Sequence, residues 1–151
     1  MEWNCQMLSQ MEGREVYDML RLRVDVFVVE QCCAYPELDG LDIEAIHIIG
    51  RDSLGIAAYA RLLPPGVKYN APAIGRVIVR PDRRGTGLGH ELMKKALARS
   101  VSEWAPEQIR LQAQFHLKDF YEGHGFAAIS EPYDEDGIPH IDMVWAAGED
   151  S

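Results

Sequence analysis

The spacing of apolar residues predicts that the first third of the chain forms a short strand followed by a long helix. Residues 2–7 suit a strand. From Gly13 onward, apolar side chains recur every three or four residues, which is the period of a helix. Pro36 cannot continue a helix, so we expect the helix to end within residues 28–36. The apolar positions that define the helical period are Val16, Leu20, Val24 and Phe27.

The middle of the chain alternates between strands and one amphipathic helix. Residues 45–63 suit two strands joined by a turn at 51–53, and the β-branched run 73–79 suits a third strand. The helical period then returns at residue 88, and Pro106 ends that helix. The apolar positions of this second helix are Leu88, Leu92, Ala96, Leu97, Val101 and Trp104.

The last third of the chain predicts a strand at 108–114, a short helix at 117–124, and two final strands at 126–130 and 140–145. Asp136-Gly137 is a strong turn signal and is expected to join the two final strands as a hairpin. The resulting order, β-α-β-β-β-α-β-α-β-β, indicates an α/β fold with a largely antiparallel first half.

Length and composition suit one globular domain over residues 1–151, with a flexible polar tail at 146–151. The chain is 47% hydrophobic and 26% charged, which is not typical of a disordered protein. No apolar run reaches the roughly 18 residues of a membrane-spanning helix, and no secretory signal is evident, so we expect a cytoplasmic protein without membrane contact. The three cysteines form no metal-binding pattern, so we predict no metal and reduced thiols.

The net charge of −9 argues against a nucleic-acid partner and fits a neutral or cationic small molecule. The charge is uneven, because residues 74–90 carry four arginines and only one acid, Asp82. A cationic segment within an acidic protein suggests an anionic ligand at that place. The arginines are Arg76, Arg80, Arg83 and Arg84.

Residues 83–89 read RRGTGLG and stand between a predicted strand and a predicted helix. The first N–H groups of a helix lack intrahelical partners, and glycines let a phosphate approach them closely. His90 and Glu91 replace the lysine and hydroxyl of a P-loop, and the glycine spacing is not that of a Rossmann fingerprint. A glycine turn that only eases the connection remains the structural alternative.

Two motifs carry a resemblance to a known family. Residues 84–89 match the pattern Arg/Gln-x-x-Gly-x-Gly/Ala, and residues 121–126 match Tyr-x-x-x-Gly-Phe on a short helix downstream. The chain therefore resembles the GNAT superfamily of N-acetyltransferases, with Gln114 where many members have an asparagine. Segments such as FVVEQ, LDGLD, AYARLL, AQFHL and EDGIPHI are similar to the ElaA-type subfamily, although Ala34 replaces an expected proline.

The resemblance implies the GNAT fold, a mixed and mostly antiparallel sheet of about seven strands, splayed between its fourth and fifth strands and flanked by helices. It also implies acetyl-CoA as the acyl donor, CoA as a product, and a homodimer, since many members are dimers. The residues expected to contact CoA are Val77, Ile78, Val79, Arg84, Gly85, Thr86, Gly87, Leu88, Gly89, Gln114 and Tyr121.

By the same resemblance, Tyr121 is the expected general acid, because a neutral phenol can protonate a departing thiolate. Packing at the boundary between helix and sheet is the alternative role. The strand 73–79 lacks the glutamate that many members use as a base. His116 and His140 are the favoured candidate bases, because both are expected near the splay. A structural role for each, or a water chain, stays open, and the further candidates are His47, Glu30, Asp39 and Asp42.

The acceptor pocket is expected around the end of the first helix and the acidic loop after it. Carboxylates there would attract an ammonium group, although solvated loop acids are equally typical. Arg61 and Arg76 would either pair with these acids or orient a carboxylate of the substrate. The predicted acceptor contacts are Glu30, Asp39, Asp42, His47, Arg61 and Arg76.

These features predict an acetyl-CoA-dependent N-acetyltransferase that acts directly on a primary amine of a small molecule or peptide. The main alternative is a GNAT-fold module that binds CoA or acyl-CoA without turnover. Arg23-x-x-Val26-Phe27 also echoes the first helix of acyl-homoserine-lactone synthases, but the tryptophan expected after it is absent. An unrelated binder of nucleotide phosphates fits the spacing least.

Overall fold

The computed structural model describes residues 1–148 and contains one mixed sheet of eight strands. The strands are β1 (Glu2–Met7), β2 (Ile46–Asp52), β3 (Gly55–Leu63), β4 (Ala73–Val79), β5 (Gln108–Gln114), β6 (Phe126–Ala128), β7 (Tyr133–Glu135) and β8 (Ile138–Ala146). Their order in the sheet is β1-β2-β3-β4-β5-β8-β6, with β7 also paired to β8. All pairs are antiparallel except β4 with β5, so the mixed sheet implied by the resemblance is confirmed.

The described residues also form three α-helices, the first of which continues into a π-helical segment. They are α1 (Gly13–Val24) with its π-helical extension (Asp25–Glu30), α2 (Leu88–Trp104) and α3 (Lys118–Glu122). Single 3₁₀ turns occur at Leu8–Gln10, Pro81–Arg83 and Phe115–Leu117. No helix within residues 1–148 has the length and apolar character needed to cross a membrane.

The helices α1 and α2 cover opposite faces of the sheet. Side chains alternate along a strand, so Tyr59 of β3 packs in the cluster with α1, while its neighbours Ala58 and Ala60 pack in the cluster with α2. Met19 contributes to the first cluster and Leu92 to the second, and both are fully buried. The centre of the sheet is therefore buried on both faces.

The sheet opens between β4 and β5. These parallel strands share one registered pair, Ala73 with Arg110, and their edges are not paired with each other beyond it. On its other side β4 carries a bulge, because Ile78 pairs with Tyr59 whereas Gly75 pairs with Arg61. Such a bulge bends the strand that contains it, and the splay between the fourth and fifth strands is therefore confirmed.

Three details differ from the sequence-based expectation. The turn at Asp136-Gly137 joins β8 to β7, a three-residue strand that shows no apolar period, and not to β6. Arg23 is fully buried on α1, whereas Val24 of the predicted apolar stripe is 37% exposed. β8 includes Ala146, with which the predicted tail began, and residues 149–151 lie outside the described part of the chain.

Candidate active site

The unpaired edges of β4 and β5 line a cleft of about 870 Å³. The cleft extends from the glycine loop, residues 85–89, along both strand edges to the β3–β4 loop and the β7–β8 hairpin. Its volume lies in the range of sites that enclose a cofactor or a drug-sized molecule. The cleft thus joins the predicted CoA loop to the expected acceptor side of the fold.

The glycine loop leads directly into the first turn of α2. Gly85 and Gly87 have φ values of 78° and 87°, in the left-handed region that favours glycine. No side chain caps the helix at Gly87, and a Cβ at either glycine would meet no atom within 4 Å. Phosphate oxygens therefore have an open approach to the N–H groups at the helix start.

Two of the predicted CoA contacts do not line the cleft. The Thr86 hydroxyl turns back and donates a hydrogen bond to the Arg83 carbonyl at 2.5 Å. The Leu88 side chain is buried in the core between α2 and the sheet. These two residues can therefore contribute their backbone N–H groups to the loop, but their side chains are committed elsewhere.

Arg84 bridges the two sides of the cleft at its glycine-loop end. Its Nε–H donates to the Val79 carbonyl at 3.0 Å, and its two terminal nitrogens donate to the Glu30 carboxylate at 2.7 and 3.0 Å. The hydrogen bond from Arg84 lowers the pKa of Glu30. Glu30, one of the predicted acceptor contacts, therefore lines the cleft beside the glycine loop.

Tyr121 is buried, 6% exposed, and lines the cleft from α3. Its ring makes edge contacts with Phe120 and Phe126, and no hydrogen bond to its hydroxyl occurs among residues 1–148. Burial raises the pKa of the Tyr121 phenol well above its ordinary value. The phenol is therefore neutral at physiological pH and can donate a proton to a group in the cleft.

The candidate bases His116 and His140 both line the cleft. His116 is exposed on the turn after β5, and His140 of β8 pairs in register with Gln114 at the end of β5. The Nδ1 atom of His140 lies 2.8 Å from the Ile138 carbonyl, which can only accept a hydrogen bond. Nδ1 therefore carries the proton in the neutral ring, and Nε2 is left able to accept one.

The acidic loop after α1 is held by arginines from three elements. Arg23 of α1 reaches Glu37 at 2.5 Å and Asp42 at 2.6 Å. Arg61 of β3 contacts Asp39 at 2.8 Å and Asp42 at 3.1 Å, and Arg76 of β4 contacts Glu37 at 2.8 Å and Asp39 at 3.4 Å. The acids of the loop are thus paired with arginines, which is one of the two roles that the sequence left open for Arg61 and Arg76.

This network determines the ionisation of its acids. Burial alone would raise the pKa of Asp39, but hydrogen bonds from Arg61 and from the Leu41 backbone lower it to about 2. The pKa of Asp42 is lowered as well, since hydrogen bonds from Arg23 and Arg61 outweigh its burial. Both carboxylates are therefore charged at neutral pH.

His47 and Asp42, both predicted to contact the acceptor, lie behind the wall of the cleft. The His47 ring is fully buried, with Nε2 2.9 Å from the Asp42 carbonyl and Nδ1 2.6 Å from the Tyr59 hydroxyl. Burial lowers the pKa of His47, so the ring is neutral and donates from Nε2. Neither residue lines the cleft, because each is used to fix the acidic loop against the sheet.

Sequence reasoning missed Lys68, Gln112 and Tyr35, which line the end of the cleft where the acceptor is expected. Lys68 donates from Nζ to Oε1 of Gln112 at 2.7 Å, which bridges the β3–β4 loop and β5. The Arg76 guanidinium lies over the Tyr35 ring, 5.5 Å from its centre. Lys68 belongs to a turn rich in proline and glycine, and only the strand order brings this turn beside β5, so no local pattern could have identified it.

Comparisons with known proteins agree with this geometry. A sequence model of the family described as "Acetyltransferase (GNAT) domain" matches residues 46–147. Protein ElaA of Escherichia coli is 41% identical over 145 residues, which cover 95% of each chain. A crystal structure of an acyl-CoA N-acyltransferase from Pseudomonas aeruginosa superposes with a TM-score of 0.91 at 40% identity and covers 97% of this chain and 100% of that chain.

The chain therefore belongs to the GNAT acetyltransferase family, whose chemistry is acyl transfer from an acyl-CoA. Within the family it is an ElaA-like member, and the crystal structure of Escherichia coli ElaA superposes with a TM-score of 0.90 over 95% of this chain and 98% of that one. The acyl-homoserine lactone synthase BjaI matches 96% of this chain and 82% of its own with a TM-score of 0.77, but at 15% identity it shares the fold alone.

Proposed function

We propose that this acyltransferase is an N-acetyltransferase that moves the acetyl group of acetyl-CoA directly to a primary amine of a small molecule or peptide. The observation that carries the proposal is the single cleft that joins the open glycine loop to Tyr121 and the acceptor side. Family membership supports the acyl-CoA donor, while acetyl specificity and the amine are parts of the proposal.

The residues present fit a CoA ligand. The backbone of Gly85, Gly87 and Gly89, together with the Arg84 guanidinium, would hold the diphosphate at the start of α2. The unpaired edge of β4 around Val77 would hold the amide-containing arm, because its backbone groups have no strand partner on that side. When bound, acetyl-CoA supplies an acyl group activated as a thioester.

Side chains that line the cleft would donate one proton and accept another during the transfer. The amine nitrogen forms a bond to the acetyl carbon as the carbon–sulfur bond breaks. Tyr121 would donate its hydroxyl proton to the departing thiolate, and Nε2 of His140 would accept the proton that the amine loses. His116 is the second candidate for the latter role, because it lies at the same cleft.

Product analysis by mass spectrometry tests the proposal. The protein is incubated with acetyl-CoA or longer acyl-CoAs and a panel of amines and short peptides, and we expect amine-dependent formation of an N-acetyl product, fastest with acetyl-CoA. CoA binding by calorimetry without any acyl transfer would instead identify a CoA-binding module. Absence of CoA binding would overturn the assignment of the glycine loop.

A further inference from the structure

Lys68 brings a positive charge to the acceptor end of the cleft without a carboxylate partner among residues 1–148. Its Nζ donates to the neutral Gln112 amide at 2.7 Å, and no ion pair within that range includes Lys68. The residue is exposed and lines the cleft, with Nζ 5.6 Å from the centre of the Tyr69 ring. Partial desolvation and the charges of Arg76 and Arg61 lower the pKa of Lys68, while the charges of Asp39 and Glu135 act in the opposite direction.

Lys68 lies beside a network whose own charges balance. The network pairs three arginines with three carboxylates, and Lys68 adds one more cation beside them. Lys68 itself has no carboxylate within ion-pair distance among the described residues, so a carboxylate of a ligand would be its first close anionic partner. The cations are Arg23, Arg61, Arg76 and Lys68, and the carboxylates are Glu37, Asp39 and Asp42.

Arg76 offers a second donor at the same place. Its Nε and Nη2 groups contact Glu37 and Asp39, while its Nη1 has no hydrogen-bond partner among the described residues. Its guanidinium carbon lies 5.5 Å from the centre of the Tyr35 ring, and the contacts with Glu37 and Asp39 restrict its orientation further. A guanidinium edge together with an ammonium group suits a carboxylate.

The opposite rim of the cleft, on the β7–β8 hairpin, is acidic. Glu135 and Asp136 are exposed there and line the cleft together with His140. Glu135 and Lys68 contact the same side chain, because Gln112 Nε2 donates to Glu135 at 3.3 Å while Gln112 Oε1 accepts from Lys68. A cationic wall therefore faces an acidic rim, which favours a ligand that carries both charges.

We propose that the acceptor is an amine that also carries a carboxylate, held by Lys68 and Arg76 with its amine toward the acidic rim. The inference rests on the proposed function and names the substrate class of the same site. A free amino acid and the terminal residue of a short peptide both carry such a carboxylate, so the test includes compounds of both kinds.

The test compares matched acceptors that differ only in the carboxylate. The protein amino acids and a set of dipeptides are assayed with acetyl-CoA beside their C-terminal carboxamides. For the accepted compound we expect kcat/KM at least tenfold higher for the acid, because a neutral amide leaves Lys68 without an anion. Lys68→Met should lower kcat/KM for the acid at least tenfold through KM and lower it much less for the carboxamide, whereas Lys68→Arg should restore most of the preference.

Lys95→Met is the matched control, because Lys95 lies over the Trp3 ring and does not line the cleft. Lys95→Met should leave kcat/KM unchanged for both the acid and the carboxamide. Equal rates for acid and carboxamide in the unaltered protein, or an equal loss of both in Lys68→Met, would overturn the inference while acyl transfer stands.

A binding measurement separates this inference from the proposed function. The same pairs are titrated by calorimetry into the complex with CoA, in which no transfer can occur. Acid-selective binding that Lys68→Met abolishes supports the inference even if no product forms, in which case only the proposed transfer fails. Binding of neither compound overturns the inference.

Discussion

Arg76, in the middle of β4, has a φ of 52°, which lies in the left-handed region that favours glycine. A left-handed conformation costs an L-residue about 1–2 kcal/mol, so the surrounding contacts must hold it there. The same bulge that requires this conformation turns the β4 edge away from β5 and sends the guanidinium toward Glu37 and Asp39. The strained conformation of Arg76 thus helps to open the β4 edge and also places the guanidinium beside the acidic loop.

Replacement of Tyr121 by phenylalanine should lower kcat by about 10²-fold or more, the usual contribution of a general acid. CoA affinity should stay within about threefold, because the ring and its contacts with Phe120 and Phe126 remain. Steady-state kinetics and calorimetry with CoA measure the two effects. Tyr17→Phe is the control, since Tyr17 is exposed on α1, and an unchanged rate in Tyr121→Phe would remove the phenol from the mechanism.

Replacement of Gly87 by valine should weaken CoA binding at least tenfold. The new side chain has free space, but a β-branched residue is strongly disfavoured at the φ of 87°, so the start of α2 must rearrange. Calorimetry with CoA measures the loss. Gly55→Val places the same side chain at a φ of 123° at the start of β3, and it should cost stability without changing CoA affinity. Retained affinity in Gly87→Val would argue against diphosphate binding at this helix.

At the scale of elements, the acidic loop between α1 and β2 has no regular structure of its own, and the arginines of α1, β3 and β4 fix it. Removal of two charges from water offsets most of the attraction in a buried ion pair, so such a network defines a conformation more than it adds stability. Arg23, with both of its acids from this loop, therefore fixes where the loop lies relative to α1.

The ion pairs that hold the acidic loop between α1 and β2 should weaken at low pH. The folded-state pKa of Asp39 is about 2, below its usual value near 4, so its contribution to stability is complete above about pH 4 and is lost as pH falls through about 2. We expect the difference in unfolding free energy between the unaltered protein and Asp39→Asn to be constant from pH 7 to 5 and to shrink between pH 4 and 2. Urea unfolding at a series of pH values measures it, and a difference that persists at pH 2 would contradict the ion-pair account.

The elements most accurately predicted from sequence are those with a strong internal pattern. The predicted bounds of β4, β5 and α2 agree with the structure because a β-branched run, an alternating strand and an apolar stripe define them locally. β7 has three residues and forms only because β8 lies beside it. Arg23 stands on the buried side of α1 because its partners come from a loop 14 and 19 residues further along, which no helical period can reveal.

At the scale of the whole molecule, the sheet consists of two parts, β1 to β4 and β5 to β8, which meet at the pair of Ala73 and Arg110. A ligand that lies between the parts should stabilise both. At 100 times its dissociation constant, CoA should raise the unfolding free energy by about 2.7 kcal/mol. For a chain of this length the melting temperature should then rise by roughly 5–10 °C.

Hydrogen exchange distinguishes CoA binding between β4 and β5 from a general increase in the stability of the sheet. Amides of Gly75 to Val79 and of Leu111 to Gln114 should gain more protection with CoA than those of β2, which is already paired on both sides. Uniform protection across the sheet would place CoA elsewhere on the molecule.

The two ends of the cleft differ in how far the sequence could predict them. The proposed CoA end depends on one contiguous run, Arg84 to Gly89, so its spacing could be compared with known motifs. The proposed acceptor end is assembled from distant segments, and the placement of Lys68 beside Gln112 depends on the parallel contact of β4 and β5. Sequence reasoning named the acids and arginines there, but their mutual neutralisation required the fold.

The open edge of β4 has a consequence for how the donor site tolerates change. Peptide groups recognise a ligand through atoms that every residue but proline shares, so conservative exchanges at Val77 and Val79 would preserve the recognition of the donor's arm. Proline removes the N–H group and would abolish that recognition without altering charge. Along this edge the backbone conformation would therefore determine recognition of the donor. The identity of a residue would matter mainly where it changes that conformation, as at Arg76.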